Sequence, residues 1–312
     1  MDKVCVYAGQ ELVYYSFGDG HPFGPLRFGA FNDEFLRRGL DTKTVTCRPV
    51  IADQHAIERF HDHDYVERVK AQSVSGGGFL DYGDTPAFPG VYEAAATVVG
   101  TTLAALDAIM SGRCRRAFVP IAGLHHARRD RAAGFCVFND CGIAIETLLH
   151  QYSLSRIAYV DIDAHHGDGV LYGFNDNPAV FIVDVHEDGR TLYPGTGSTS
   201  ETGIGAAIGT KLNIPMPVWA DDARLASVWQ QAETFLRDVR PEIILLQCGA
   251  DSLAGDPITH MAYTEQAHAM ITRRLCDIAD DFCEGRVLAM GGGGYHLANL
   301  ARAWCAVVEA LI

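Results

Sequence analysis

Three aspartates and two histidines fall within eight residues of one another, at Asp161, Asp163, His165, His166 and Asp168, directly after the apolar pair Tyr159-Val160. Burying so many ionisable groups at the end of a core strand is costly unless they pair or hold a cation. Asp163 and His165 are two apart, so on an extended segment both point to one side and can share an ion. Asp251, after the apolar run 243–248, is a candidate third ligand. One imidazole and two carboxylates with an open fourth position for water suit a catalytic zinc ion. Without thiolates, iron(II) or another divalent metal also suits the set. The bland alternative for Asp163 and His165, pairing with arginine or backbone, weakens once Asp251 and a histidine pair converge on them. That pair, His125-His126, is the acid/base candidate, because imidazole titrates nearest neutral pH. Asp161 and Asp168 remain to hold one imidazole each. Tyr295 follows four glycines, 291–294, whose backbone permits close approach, and its phenol suits an oxyanion donor.

These residues need a scaffold that brings distant segments to one edge. Short apolar runs alternate with segments of helical period, the pattern of a parallel sheet covered by helices on both faces. Strands are predicted near 3–7, 43–47, 116–120, 157–162, 180–185, 210–214, 242–247 and 286–290. Helices are predicted near 26–38, 64–72, 91–110, 139–150, 221–239, 264–281 and 296–311. Five of the strands deliver ionisable residues at or just past their carboxyl ends: His125-His126, the 161–168 cluster, Asp184 with His186, Asp251, and Tyr295. In open parallel α/β sheets that edge is where ligands bind. No repeat or long linker interrupts the pattern, so one domain is expected over residues 1–312.

The formal net charge of −14 argues against general nucleic-acid binding, which draws on clustered Lys and Arg, and favours cationic substrates. The N-terminus lacks the organisation of a signal peptide and no run of about 18 apolar residues occurs, so a cytoplasmic protein without a membrane span is expected. Nine irregularly spaced cysteines, with no CxxC pair, fit reduced core thiols rather than a disulfide framework. His61 and His63 have ligand-like spacing, but lie far from the strand ends and are read as caps of the helix near 64. Cys136 needs no nucleophilic role, and Trp219, Trp229 and Trp304 are read as packing.

Five segments together resemble the zinc-dependent histone deacetylase family, which includes acetylpolyamine amidohydrolases and bacterial acetoin-utilisation proteins. They are Leu124-His125-His126-Ala127, Ala133-Gly134-Phe135-Cys136-Val137-Phe138-Asn139-Asp140, Asp161 through Gly169, Gly249-Ala250-Asp251-Ser252-Leu253-Ala254-Gly255-Asp256, and Gly291 through Asn299. Gly20-His21-Pro22-Phe23 is most similar to the acetoin-utilisation branch and the class I enzymes. The resemblance runs in order from about residue 20 to 310. It implies the arginase–deacetylase three-layer α/β sandwich with an eight-stranded parallel sheet. It also implies zinc on Asp163, His165 and Asp251, and His126 as general base with Asp168. His125 with Asp161 would be the second, electrostatic or proton-donating histidine, and Tyr295 the phenol that polarises the acyl carbonyl. Gly134, Phe135 and Tyr193 would line the acyl tunnel, with Gly293 on the substrate side. Asp84 would be the rim carboxylate that binds a peptide backbone, and Arg27 would stand near the cavity for leaving acetate.

The same resemblance implies structural potassium. Asp161, Asp163, His165, Asp184 and Val185 would hold the first ion; Phe174, Asn177 and Val180 would hold a second through backbone oxygens. Two departures stand out: Asp184 replaces a common Ser, and His296 replaces a common Asn. An added carboxylate would tighten the monovalent site or raise a neighbouring pKa. The chain ends soon after the last motif, so elements that longer members carry beyond it are expected to be absent. The expected activity is removal of acetyl, or another short acyl group, from lysine ε-amines. The alternatives are hydrolysis of acetylpolyamines or other small amides and, in a different class, a catalytically inactive acyl-lysine-binding protein.

Overall fold

The computed structural model describes residues 4–312; the first predicted strand starts at Lys3, outside the described residues. Eight strands form one sheet: β1 Cys5–Tyr7, β2 Val45–Cys47, β3 Arg116–Val119, β4 Ile157–Asp161, β5 Val180–Glu187, β6 Lys211–Met216, β7 Ile243–Gln247 and β8 Val287–Met290. Their order is β2-β1-β3-β8-β7-β4-β5-β6 and every neighbouring pair is parallel. The central strands read as unbroken apolar runs, such as Ile243-Ile244-Leu245-Leu246, because both faces of a parallel sheet are covered.

The helices are α1 Leu26–Arg37, α2 Gln54–Ile57, α3 His63–Ser75, α4 Val91–Met110, α5 Asp140–His150, α6 Asp168–Gly173, α7 Asp222–Val239, α8 Glu265–Phe282 and α9 Leu297–Leu311. α1, α9, α8 and α7 pack side by side as one layer, and α3, α4, α5 and α6 as the other. On α9, Leu300, Ala303, Trp304, Val307, Val308 and Leu311 are buried at helical spacing. Phe118 of β3 meets Phe31 of α1 and Trp304 of α9 at centroid distances of 5.4 and 6.3 Å. Trp229 is buried likewise, whereas Trp219 is exposed. Asp221 starts α7 by accepting the Arg224 N–H at 2.9 Å.

All the predicted strands and helices are present; α2, α6 and short 3-10 turns are additions too brief to show periodicity. α4 is long and apolar enough by length and composition to cross a membrane, but its apolar window is 67% buried inside the protein. All nine cysteines are free, and every one but Cys47 is buried.

Candidate active site

The five strands expected to deliver ionisable residues, β3, β8, β7, β4 and β5, are consecutive neighbours in the sheet. Their register places Val119, Met290, Gln247, Asp161 and Asp184 in one row across it. The loops beyond this row therefore open side by side. That adjacency brings Asp163, His165, Asp251, His125, His126 and Tyr295 together.

His125 and His126 stand behind one another, each on its own carboxylate. His125 Nδ1 lies 2.8 Å from Asp161 Oδ2, and His126 Nδ1 lies 2.8 Å from Asp168 Oδ1. Burial works against a charged His125, but the Asp161 and Asp163 carboxylates outweigh it and raise the imidazole to about 10. For His126, burial and the neighbouring His125 charge prevail over Asp168 and lower it to about 4. The surrounding charges thus favour a proton on His125 over one on His126. Burial would raise Asp168, but His126 and Arg128 hold it at about 2; Arg128 Nη2 reaches Asp168 Oδ2 at 2.8 Å.

Asp163, His165 and Asp251 are all buried, and one ligand atom from each falls within 4.8 Å of the others. His165 Nδ1 stands 3.1 Å from both Asp163 Oδ1 and Asp251 Oδ2. Burial and the charge of Asp163 push the Asp251 carboxyl up to about 7, the electrostatic penalty that a divalent cation relieves. The cradle is tight, since a Cβ on Gly293 would lie 2.2 Å from Asp251 Oδ2. Donor set, spacing and burial fit a metal ion. Gly293 supports this cradle directly, donating its N–H to Asp163 Oδ2 at 2.9 Å. Gln247 Nε2 donates to the same oxygen at 2.8 Å.

Tyr295 closes the other side. Its N–H is fixed by Asp256 Oδ2 at 2.8 Å, and its ring meets Phe135 edge-on at 5.8 Å. Burial and Asp251 push its phenol well above the ordinary value, so it keeps its proton as a donor. Arg27 lies behind this loop, donating to Gly294 O at 2.9 Å and Gly292 O at 2.6 Å. Its Nη1 is buried without a partner, and its guanidinium stacks on Phe23 at 3.9 Å.

Tyr193 meets His126 edge-on at 5.1 Å and is 45% exposed, so it joins His126 to the surface. Gly134 has φ +53, and a Cβ there would lie 2.5 Å from His126 Cδ2 and 3.1 Å from Tyr193 Cε1. A side chain at this position would collide with both rings. Phe135 is tied to the outer loop through its N–H, which donates to Thr85 Oγ1 at 3.1 Å. Asp81 organises that loop by accepting the N–H groups of Gly83, Asp84 and Thr85 at 3.0, 3.1 and 3.0 Å. Asp84 itself is exposed at the rim, and its carbonyl is hydrogen-bonded to His21 Nε2 at 3.1 Å. Cys136 is buried, its thiol raised well above the ordinary value chiefly by burial, consistent with an inert side chain.

Several expectations need correction. His61 and His63 do not cap α3; Asp62 is its N-cap residue. His63 is an exposed side chain paired with Glu58. His61 is buried: its Nε2 accepts the Asn139 N–H at 2.8 Å while Nδ1 faces Arg129 O at 3.3 Å. Asn139 in turn caps α5 and donates to Ala127 O at 2.8 Å and His125 O at 3.3 Å. His61 thus supports the loop that carries the histidine pair, a role its spacing could not reveal.

Asp184 does raise a neighbouring pKa, as expected of an added carboxylate: burial and the Asp184 charge push the Asp161 carboxyl up to about 6 against the pull of His125. Asp184 Oδ1 pairs with His186 Nδ1 at 2.6 Å and its Oδ2 accepts the Gly167 N–H at 2.9 Å. Burial would raise this carboxyl, but His186 and His166 hold it below the ordinary value. Val185 follows it, buried within β5. The second potassium cluster also differs from expectation. The carbonyls of Asn177 and Val180 accept hydrogen bonds from the Lys211 ammonium at 3.2 and 2.6 Å. His296 has a plain structural task, accepting the Asn299 N–H at the start of α9.

Arg128, Gln247 and Asp140 carry roles that their sequence positions do not announce. Asp140 is buried and accepts the N–H groups of Gly123 and Leu124, holding the chain as it enters the histidine pair. Only their places inside or beside the motifs hinted at such tasks.

Residues 21–311 match the family profile described as Histone deacetylase domain. The acetoin utilization protein AcuC of Bacillus subtilis (strain 168) is 37% identical over 98% of this chain and 81% of its own length. AcuC of Staphylococcus xylosus is 34% identical over 98% of this chain and 82% of its own. The crystal structure of the HDA15 HD domain superposes with a TM-score of 0.90, covering 100% of this chain and 90% of that one at 24% identity. The sheet order and this superposition establish the arginase–deacetylase α/β fold.

Proposed function

The chain belongs to the histone deacetylase family, and from that premise we propose that it is a zinc-dependent amidohydrolase removing acetyl or another short acyl group from lysine ε-amines. The observation that carries this reading is the pair of imidazoles, His125 on Asp161 and His126 on Asp168, beside a buried Asp–His–Asp triad. Asp163, His165 and Asp251 would hold the metal. When bound, zinc supplies Lewis acidity toward the acyl carbonyl and toward water; iron(II) suits the same donors. His126 takes the proton from the attacking water, oriented by Asp168 and Arg128. Tyr295 donates to the developing oxyanion, and the His125–Asp161 pair keeps positive charge close by. A protonated histidine then releases the amine. Gly134, Phe135 and Tyr193 would flank the acyl chain, Asp84 would take the peptide backbone, and Arg27 would face departing acetate. The first potassium, on Asp161, Asp163, His165, Asp184 and Val185, belongs to the same reading. So do a single catalytic domain, a cytoplasmic location and the lack of direct nucleic-acid contact.

A second reading, hydrolysis of acetylpolyamines, is favoured by the net charge of −14, whereas Asp84 at the rim favours a peptide-like substrate. The test is acetate release from acetyl-lysine peptides and N-acetylputrescine, before and after chelation and with Zn2+ or Fe2+ restored. We expect metal-dependent turnover and the larger kcat/KM on the peptide. The reverse preference selects the polyamine reading. Less than one metal ion per chain in a metal-replete preparation, with no hydrolysis of either substrate, defeats both and leaves an acyl-lysine-binding protein.

A further inference from the structure

Lys211 opens β6 and is only 2% exposed. Its Nζ donates to Val180 O at 2.6 Å, Thr210 Oγ1 at 2.8 Å and Asn177 O at 3.2 Å. An ammonium group has three N–H bonds and no acceptor, so these three oxygens use its full capacity. All three are uncharged. Phe174 O, the other oxygen expected in this cluster, already accepts the Asn177 N–H at 3.1 Å.

A potassium ion is held by replacing its water shell with a ring of carbonyl oxygens. Here the ring is closed around a cation that the chain itself provides. We propose that the Lys211 ammonium is the resident cation of the 174–180 turn, standing where the family resemblance puts a second potassium ion, so that this chain binds one monovalent ion fewer. The residues present do not fit that second ion, because an ammonium and a potassium ion cannot occupy the same oxygens.

A tethered cation has no dissociation equilibrium, so this corner gains no stability from dissolved potassium, unlike a site filled by mass action. Its position matters for the site. The turn joins α6, whose first residue Asp168 orients His126, to β5, which carries Asp184. Lys211 is thereby a positioning residue that ties β6 to the segment between them.

The test needs no hydrolysis and does not depend on the proposed substrate. Bound Rb+ per chain is measured by elemental analysis after exchange into RbCl, for the wild type, Lys211→Ala and Lys211→Met. Thermal midpoints are measured in parallel, with choline chloride replaced by KCl at constant ionic strength. Lys211→Ala is expected to bind one more Rb+ per chain than the wild type, and to melt lower in choline with saturable recovery in KCl. Lys211→Met, which fills the space with an apolar chain, is expected to melt lower without that recovery. Equal Rb+ stoichiometry in wild type and Lys211→Ala, or no KCl recovery beyond that of the wild type, overturns the proposal. If Lys211→Ala does not fold, the wild type decides alone: two Rb+ per chain overturns it, and one or none sustains it.

Discussion

The Nε2 atoms of His125 and His126 face each other at 3.1 Å. With each Nδ1 turned toward a carboxylate, that contact needs one proton between the rings, and the raised affinity of His125 assigns it there. The lone pair of His126 Nε2 thereby accepts that proton, and His126 is the neutral ring that must turn this lone pair to water to act as base. Replacing His126 by Ala is expected to lower kcat by about 10²–10⁴, the usual scale of general acid–base catalysis, with zinc content unchanged. Parallel kinetics and metal analysis check both halves; loss of metal along with activity would reassign His126 to the metal site.

Arg128 is expected to act through Asp168. Removing its guanidinium in Arg128→Met lets the Asp168 carboxyl rise from about 2. The carboxylate behind His126 is then lost at a higher pH than in the wild type. Profiles of kcat/KM against pH should show the acid limb displaced upward, with the deficit growing as pH falls. Superimposable limbs would contradict the positioning role.

Tyr295→Phe removes one donor and nothing else from the pocket. Turnover on acetyl-lysine should fall by roughly 10² or more, by comparison with loss of an oxyanion-hole donor, while zinc and the melting temperature stay as in the wild type. Near-normal turnover would remove Tyr295 from the mechanism.

His61 predicts a pH dependence of stability rather than of catalysis. Burial lowers its imidazole to about 3, despite the backbone carbonyls of Arg129 and Arg128. Its Nε2 is committed as an acceptor to the Asn139 N–H. The unfolded chain takes up a proton below about 6.5, whereas the folded chain resists until about 3. Stability from this residue is full above the upper value and falls as pH drops through the window, by roughly 1.4 kcal/mol per unit. Urea unfolding at pH 5.5 and 7.5 should show a smaller pH difference for His61→Gln than for the wild type, with the variant less stable at 7.5. An equal difference in the two proteins would discount the tautomer assignment.

The strands, the long helices and the convergence of Asp163, His165 and Asp251 were legible because each rests on local information: apolar period, strand-end position and side-chain chemistry. Asp163 and His165 declare themselves by being two apart. His61 and Lys211 do not. Their partners lie 78 and 31 residues away, at Asn139 and Val180, and no spacing rule reaches that far. Asp184 was legible as a departure, but its pairing with His186 depended on side-chain direction within β5. Backbone carbonyls as ligands are the least legible of all, since every residue has one.

The row Val119, Met290, Gln247, Asp161 and Asp184 across the sheet has a consequence for refolding. In a strand, a slip of one residue sends every side chain to the opposite face. If β4 slipped so, Ile162 would replace Asp161 opposite Gln247 and Asp184, and the carboxylate behind His125 would be gone. Errors of register therefore abolish competence outright instead of degrading it. Under the proposed function, recovery of metal binding and turnover in a refolded preparation would report the register of β4.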